Sequence, residues 1–331
     1  MSVNIPTRHN LHLSRPTMVE ERTLSAACAI NFTSPVPSTV ADYIRESLAE
    51  NTRVAYLSDL AHFESWGGQI PAAPETIAEY LVAHADVLSV ATLNRRLAAL
   101  SKVHRSRGFS NPTSVEVVKS TLRGLKRIKG TAQRQATPLI KEDLFVVLEA
   151  MGSRPKDIRD RALLLIGFAG GFRRSELVGL NFDDVVLVRQ GLEVTLRRSK
   201  TDQNGAGRKI GIPHGRGRWC PVAALEQWQA ASGISEGAIF RPVDRHDRVG
   251  PKRLSAEGVC LVVRERVQAA GIDPGNYSGH SLRAGLATSA AQAGVSSWKI
   301  RQQTGHASDA MLVRYIRDGE LFIDNAAGAL L

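Results

Sequence analysis

Cysteine is scarce in this chain. Cys28, Cys220 and Cys260 lie far apart, so they build neither a disulfide framework nor a Cys-x-x-Cys metal pair, a usage that suits a reducing compartment. Long apolar runs are missing too: no stretch reaches the roughly 20 residues of a membrane helix. LSAACAI near the N-terminus is too short for the apolar part of a secretory signal and follows Glu20 and Glu21. No Gly-x-x-x-x-Gly-Lys-Ser/Thr loop occurs, no His-Glu-x-x-His, and the nine histidines do not pair at metal-ligand spacing. GFAGGF is glycine-rich without matching the dinucleotide fingerprint. No metal, cofactor or membrane is therefore expected, and the location expected is cytoplasmic.

What the chain has is positive charge: 43 Lys and Arg against 32 Asp and Glu, a net +11 over 331 residues. Such a balance favours a polyanionic partner, most often nucleic acid, and says nothing about fold. The excess is local. Residues 1–100 carry 7 basic against 10 acidic residues, whereas 101–136 carry 9 against 1, a concentration that reads as a binding surface.

Residues 1–36, rich in Pro, Thr, Ser and Asn and without period, read as a flexible N-terminal arm. Residues 37–129 read as a helical DNA-binding domain. NTRVAYLSDLAHFESWG spaces Tyr56, Leu60 and Phe63 for one helix face, with Thr52 as N-cap and Gly67 as stop; PETIAEYLVAHA opens on Pro74. Leu93, Leu97 and Leu100 line one face of a third helix, with Arg95, Arg96, Lys102 and Arg105 off it. In a fourth, Val118, Leu122 and Leu125 form an apolar stripe, and Lys119, Arg123 and Lys126 a basic one about 100° around. Arg53, Arg95, Arg96, Lys102, Lys119, Arg123 and Lys126 are the expected DNA contacts. The last three would hold phosphates; Arg95, Arg96 and a helix near Ser255–Arg264 would read bases. Residues 130–138 are the expected linker.

Residues 139–331 mix both element types. DIRDRALLLIGFAGG predicts a buried helix and RRSELVGL a short one. DVVLV, LEVTLRR and RKIGIP predict strands by β-branched content, with SKTDQNGAG as the loop between the last two. Helices are expected near 221–232, 255–270, 281–293, 296–304 and 308–316. The fold class is thus mainly α, with a small antiparallel sheet in the C-terminal domain.

Polar residues recur in telling places. Arg173 follows a glycine pair, with Glu176 one turn on; Lys200 stands in the loop; His280 and Arg283 are three apart, on one helical face; His306 precedes Tyr315 by nine. Singly, each is unremarkable. As an ordered set, Arg173, Lys200, His280, Arg283, His306 and Tyr315 resemble the signature of the tyrosine site-specific recombinases, over roughly residues 40–331. SGHSLRAGLATSAAQAGVS and VRYIR are most similar to the Cre-type members, although His306 stands where those carry tryptophan. Histidine is the commoner residue there in the wider family.

The resemblance implies a helical core-binding domain joined to an α+β catalytic domain, and strand exchange through a 3′-phosphotyrosyl intermediate. Two permanently charged forks, Arg173 and Arg283, suit the nonbridging oxygens of a phosphodiester. His280 and His306 add donors. A phenol of pKa about 10 needs such a site to become a nucleophile at Tyr315, with His280 as the group accepting its proton. Lys200 would protonate the leaving 5′-oxygen, and Glu176 would orient cations. The partners implied are double-stranded DNA carrying a specific site, with inverted-repeat half-sites, and three further copies in a tetramer that passes its C-terminal tail cyclically. A type IB topoisomerase or a non-catalytic DNA-binding regulator are the alternatives.

Overall fold

The computed structural model describes residues 47–131, 135–197, 207–306, 308, 312, 313 and 315. The chain divides into two units, residues 1–129 and 130–331, each with an apolar core.

In the first unit, helix α1 (Glu50–Ser65) starts three residues before the expected boundary. Thr52 is not its N-cap; the Ala49 carbonyl accepts the N–H of Thr52 at 2.8 Å and of Arg53 at 3.0 Å, and Glu50 puts a carboxylate in the first turn, where the helix dipole favours it. The stop is where glycine predicts it. Gly67 has φ +105, and the Phe63 ring lies so close over Gly68 that an added Cβ would sit 2.3 Å from it. Helix α2 (Pro74–Ala83) has proline in its first turn. Helix α3 (Val90–Ser106) is capped by Ser89, whose hydroxyl accepts the Thr92 N–H at 3.2 Å. Helix α4 (Glu116–Lys129) completes the unit. Leu93, Leu97 and Leu100 of α3 meet Phe63, Ile77 and Val118 in one core, each full burial contributing roughly 1.5–3 kcal/mol.

The second unit opens with helix α5 (Lys141–Glu149) and continues into α6 (Pro155–Gly170), buried on most sides: Leu163, Leu164 and Ile166 are all inaccessible or nearly so. Left-handed Gly171 ends α6, and α7 (Arg174–Gly179) starts three residues later. Strands β1 (Val185–Val188), β2 (Gly191–Leu196) and β3 (Arg208–Pro213) form an antiparallel meander in the order β1-β2-β3, with Val185 opposite Val194 and Leu192 opposite Ile212. Helices α8 (Pro221–Ser232), α9 (Ala256–Ala269), α10 (His280–Gln292) and α11 (Ser297–Thr304) follow. Helical backbone recurs at Leu312, Val313 and Tyr315. Small residues let α10 run close to its neighbours. A Cβ on Gly285 would lie 1.9 Å from the Leu139 carbonyl oxygen, and Leu139 donates its own N–H to Ser281 across that approach at 3.0 Å.

Candidate active site

Five of the six signature residues are described, and the fold brings them together from four parts of the chain. Lys200 lies outside the described residues, as do the N-terminal arm and the C-terminal tail. Arg173 sits in the bend between α6 and α7. Glu176, one turn on and buried, accepts the Arg173 N–H at 2.9 Å and its Nη1 at 2.5 Å. One carboxylate thus holds both the backbone and the fork of this arginine. Nη2 of Arg173 also donates to the Gly305 carbonyl at 3.3 Å.

Arg283 is 1% exposed. Its Nη1 donates to the carbonyl of Gly171 at 2.8 Å and to that of Thr304. Among the described residues, backbone carbonyls and not a carboxylate hold it. Burial and the neighbouring Arg173 bring its pKa down to about 10, so it remains a cation at neutral pH.

His280 opens α10, one turn before Arg283. Its Nε2 lies 2.6 Å from the Tyr315 hydroxyl. Desolvation, then Arg283 and Arg173, hold its pKa below the ordinary histidine value. A neutral imidazole at hydrogen-bond distance from a phenol is in position to take its proton.

His306 is 6% exposed, and its ring centroid is 5.8 Å from that of Tyr315. Desolvation and the same guanidiniums push its pKa down to about 3. Its tautomer follows from the hydrogen bonds. Thr304 Oγ1 donates to the Ile300 carbonyl at 2.7 Å, so it accepts the Nδ1–H of His306, also at 2.7 Å. Nε2 is left without the proton in the neutral ring, and a nearby anion would draw one onto it.

Sequence reasoning missed two residues here. Thr304 orients His306. Arg208, at the start of β3, comes within 4.0 Å of Glu176 and donates to carbonyls at the end of α11. Arg208 carries no local signal, because its partners are backbone carbonyls 94 to 96 residues away; Thr304 lies within reach of a local reading, since His306 is two residues on.

The expected DNA contacts fare unevenly. Lys102, Lys119 and Arg123 are exposed and Lys126 is partly so; Arg123 pairs with Glu116 and donates to Ser120 at 2.8 Å. Arg53 pairs with Glu50. Arg96 is a correction: it is 8% exposed and donates to the Tyr80 hydroxyl at 2.8 Å beneath the helix surface. The Arg95 fork is committed to Asp59, both bonds at 2.8 Å. On α9, the Arg264 Nε donates to the Tyr277 carbonyl at 2.9 Å.

Among the described residues, a tyrosine against a histidine, ringed by guanidiniums with one carboxylate, Glu176, between them, suits chemistry on an anionic ester. The comparisons carry this further. Residues 139–320 match the phage integrase family. An integrase/recombinase XerD homolog of Selenomonas ruminantium is 39% identical over 293 residues, 86% of this chain and 86% of that protein. Recombinase Cre of Escherichia phage P1 is 26% identical over 312 residues, 87% of this chain and 88% of Cre. A lambda integrase dimer bound to a COC′ core site shares the fold with a TM-score of 0.62 at 19% identity, covering 83% of this chain and 92% of that one. The chain belongs to the phage integrase family, the tyrosine site-specific recombinases, enzymes that break and rejoin DNA strands.

Proposed function

We propose that Tyr315 is the nucleophile of this recombinase and attacks the scissile phosphate to give a 3′-phosphotyrosyl bond and a free 5′-hydroxyl. The observation that carries this reading is the 2.6 Å contact between the Tyr315 hydroxyl and His280 Nε2. His280 takes the phenolic proton. Arg173 and Arg283 neutralise charge on the nonbridging oxygens, and His306, protonated as the phosphate arrives, donates to the same group. Lys200, on the family pattern, protonates the departing 5′-oxygen. Glu176 orients Arg173. The phosphotyrosyl ester keeps the bond energy, so a second 5′-hydroxyl reverses the step without ATP. No observation favours the topoisomerase or regulator alternatives, and the relatives above are recombinases.

We assign residues 37–129 to core-site binding and 139–331 to catalysis. The substrate is a double-stranded site built of inverted half-sites, bound by four copies that exchange C-terminal tails, and the enzyme is nucleoid-associated when on DNA. Two neighbours in fold support this reading: the lambda integrase structure is a dimer on a core site, and a further one is a tetramer on a Holliday junction, at 18% identity and a TM-score of 0.60. Among the described residues no helix is long and apolar enough to cross a membrane.

The test uses a DNA substrate nicked near the cleavage position, which traps the covalent complex as an SDS-resistant band. Wild type forms the band. Tyr315→Phe binds the same DNA and forms none; a band persisting in that variant removes Tyr315 as nucleophile.

A further inference from the structure

Helix α11 ends at Thr304, and the next two residues are Gly305 and His306. A helix end leaves carbonyls without intrahelical partners and gathers partial negative charge. Here the end is gripped from outside by Arg208, the first residue of β3. Its Nη1 donates to the carbonyls of Gln302 at 3.2 Å and Gln303 at 3.1 Å, and its Nη2 to that of Thr304 at 3.2 Å. The Thr304 carbonyl also accepts from Arg283, and the Gly305 carbonyl from Arg173. Three guanidiniums from three separate elements therefore meet on two consecutive peptide units, directly before His306.

Gly305 is shaped to this arrangement in two ways. Its φ is +66, and a Cβ added there would lie 2.6 Å from both Cζ and Nη1 of Arg208. The guanidinium occupies the space a side chain would need. Among the described residues the carboxylate that approaches Arg208 is Glu176, at 4.0 Å, and burial depresses the Arg208 pKa. A cation kept in such a place at that cost does more than cap a surface helix, since an exposed side chain could cap the same carbonyls at lower cost.

We propose that Arg208 is a positioning residue for catalysis: it clamps the carbonyl end of α11 so that His306 and Arg283 hold their places at the reacting phosphate, with Gly305 leaving room for it. This rests on the active-site reading above. Arg208 touches no reacting atom; it acts through the 304–306 segment.

The experiment measures single-turnover formation of the covalent complex on the nicked half-site, beside half-site affinity, for Arg208→Met, Arg208→Lys and Gly305→Ala, and for Arg208→Met combined with His306→Gln. Arg208→Met should cleave about 10–100-fold more slowly, the scale set by sub-ångström misplacement of catalytic groups. Half-site affinity should stay within about 2-fold of wild type, and Arg208→Lys should recover part of the rate. Gly305→Ala should be slow in the same way. A residue acting through His306 adds little once that side chain is gone, so the double variant should be within about 3-fold of His306→Gln alone. The proposal is overturned if Arg208→Met cleaves at the wild-type rate, if its loss is in affinity, or if the losses multiply in the double variant. Should Arg208→Met fail to fold, Arg208→Lys is combined with His306→Gln and read the same way. The Tyr315→Phe band reports on the active-site reading separately, so an unchanged Arg208→Met beside a bandless Tyr315→Phe sinks only this inference.

Discussion

Each unit of this protein buries an arginine beside a histidine and a tyrosine, and the two clusters are built to opposite ends. In the helical unit, Asp59 is 2% exposed and holds the Arg95 fork through two 2.8 Å bonds, with Arg96 3.5 Å away. Arg96 in turn reaches the Tyr80 hydroxyl and lies 2.7 Å from His62 Nδ1. Tyr80 is inaccessible, and desolvation, only partly opposed by Arg96, raises its pKa. Charge meets charge and the phenol is kept neutral. In the second unit, Arg283 is held by carbonyls and Tyr315 is half-buried against His280. Residue types alone do not separate a structural cluster from a reactive one. What separates them is the balance: Asp59 faces both arginines of the first cluster, whereas in the second Glu176 pairs with Arg173 and, among the described residues, no carboxylate pairs with Arg283.

Removing the Asp59 carboxylate should give the largest effect on stability. Asp59→Ala leaves Arg95 and Arg96 without their counter-ion, and breaking a buried pair from one side typically costs about 3–5 kcal/mol. Urea melts of the variant should show a midpoint lowered by that free energy divided by the m value. An unchanged midpoint would mean that the helical-unit cluster is not the stabilising one.

Arginine truncations sharpen the contrast. Arg283→Ala should slow single-turnover cleavage by about 10²–10³-fold, the usual consequence of losing one preorganised donor, or roughly 2.7–4 kcal/mol of barrier. Arg96→Met should instead appear in the melt, because Tyr80 and His62 lose a partner in the core. If Arg96→Met slowed cleavage as Arg283→Ala does, the division between the clusters would fail.

Much of this was legible in the sequence, for reasons that differ by element. Leu93, Leu97 and Leu100 announce α3 because a helix buries every third or fourth residue, and β-branched runs announce β1 to β3. The candidate catalytic set is visible as an ordered pattern because the chemistry expected of it admits few residue types. Arg96 was misread because it lies off the leucine stripe: periodicity identifies the apolar face but not an arginine drawn inward by a distant Asp59 and Tyr80. Arg208 was invisible because a bond to a backbone carbonyl leaves no mark on the partner's residue type. The start of α1 was misplaced because Thr52 is a good cap by type, while the Ala49 carbonyl does its work without any side chain.

Acid should act on the second cluster. His306, pushed down to about 3 by desolvation and by Arg283, Arg173, His280 and Arg208, binds fewer protons in the folded state than in the unfolded one. Its contribution is complete above pH 6.5 and is lost as pH falls from there toward 3. Between pH 6.5 and 5 the loss should be on the order of 1 kcal/mol, with His280 adding in the same direction. His306→Gln should flatten the fall in melting temperature over that range. Phosphate oxygens at the site oppose the guanidiniums, so bound DNA should flatten it as well. A slope equal in wild type and His306→Gln would place the acid sensitivity elsewhere, with His62, also held below its ordinary pKa, as the next group to change.

The smallest effect concerns two ion pairs within the helical unit. Arg123 and Glu116 are both exposed, with side chains 60% and 70% accessible, whereas Arg95 faces an Asp59 that is 2% accessible. An exposed pair is weak and screened, so a DNA phosphate can take Arg123 from Glu116. A buried carboxylate keeps its arginine, so phosphate should not take Arg95. Lys119→Ala and Arg123→Ala should therefore each lower the slope of log affinity against log salt by about 1, equally on specific and unrelated DNA. Arg95→Ala should leave that slope unchanged while lowering stability. Glu116→Gln removes a competitor for Arg123 and a carboxylate that repels phosphate, so it should tighten binding to any sequence at low salt. The measurement is a set of binding titrations at several salt concentrations on both DNAs. If Arg95→Ala lowers the slope and Arg123→Ala does not, the phosphate-binding face is the one bearing α3, and the α4 stripe is ordinary solvated surface.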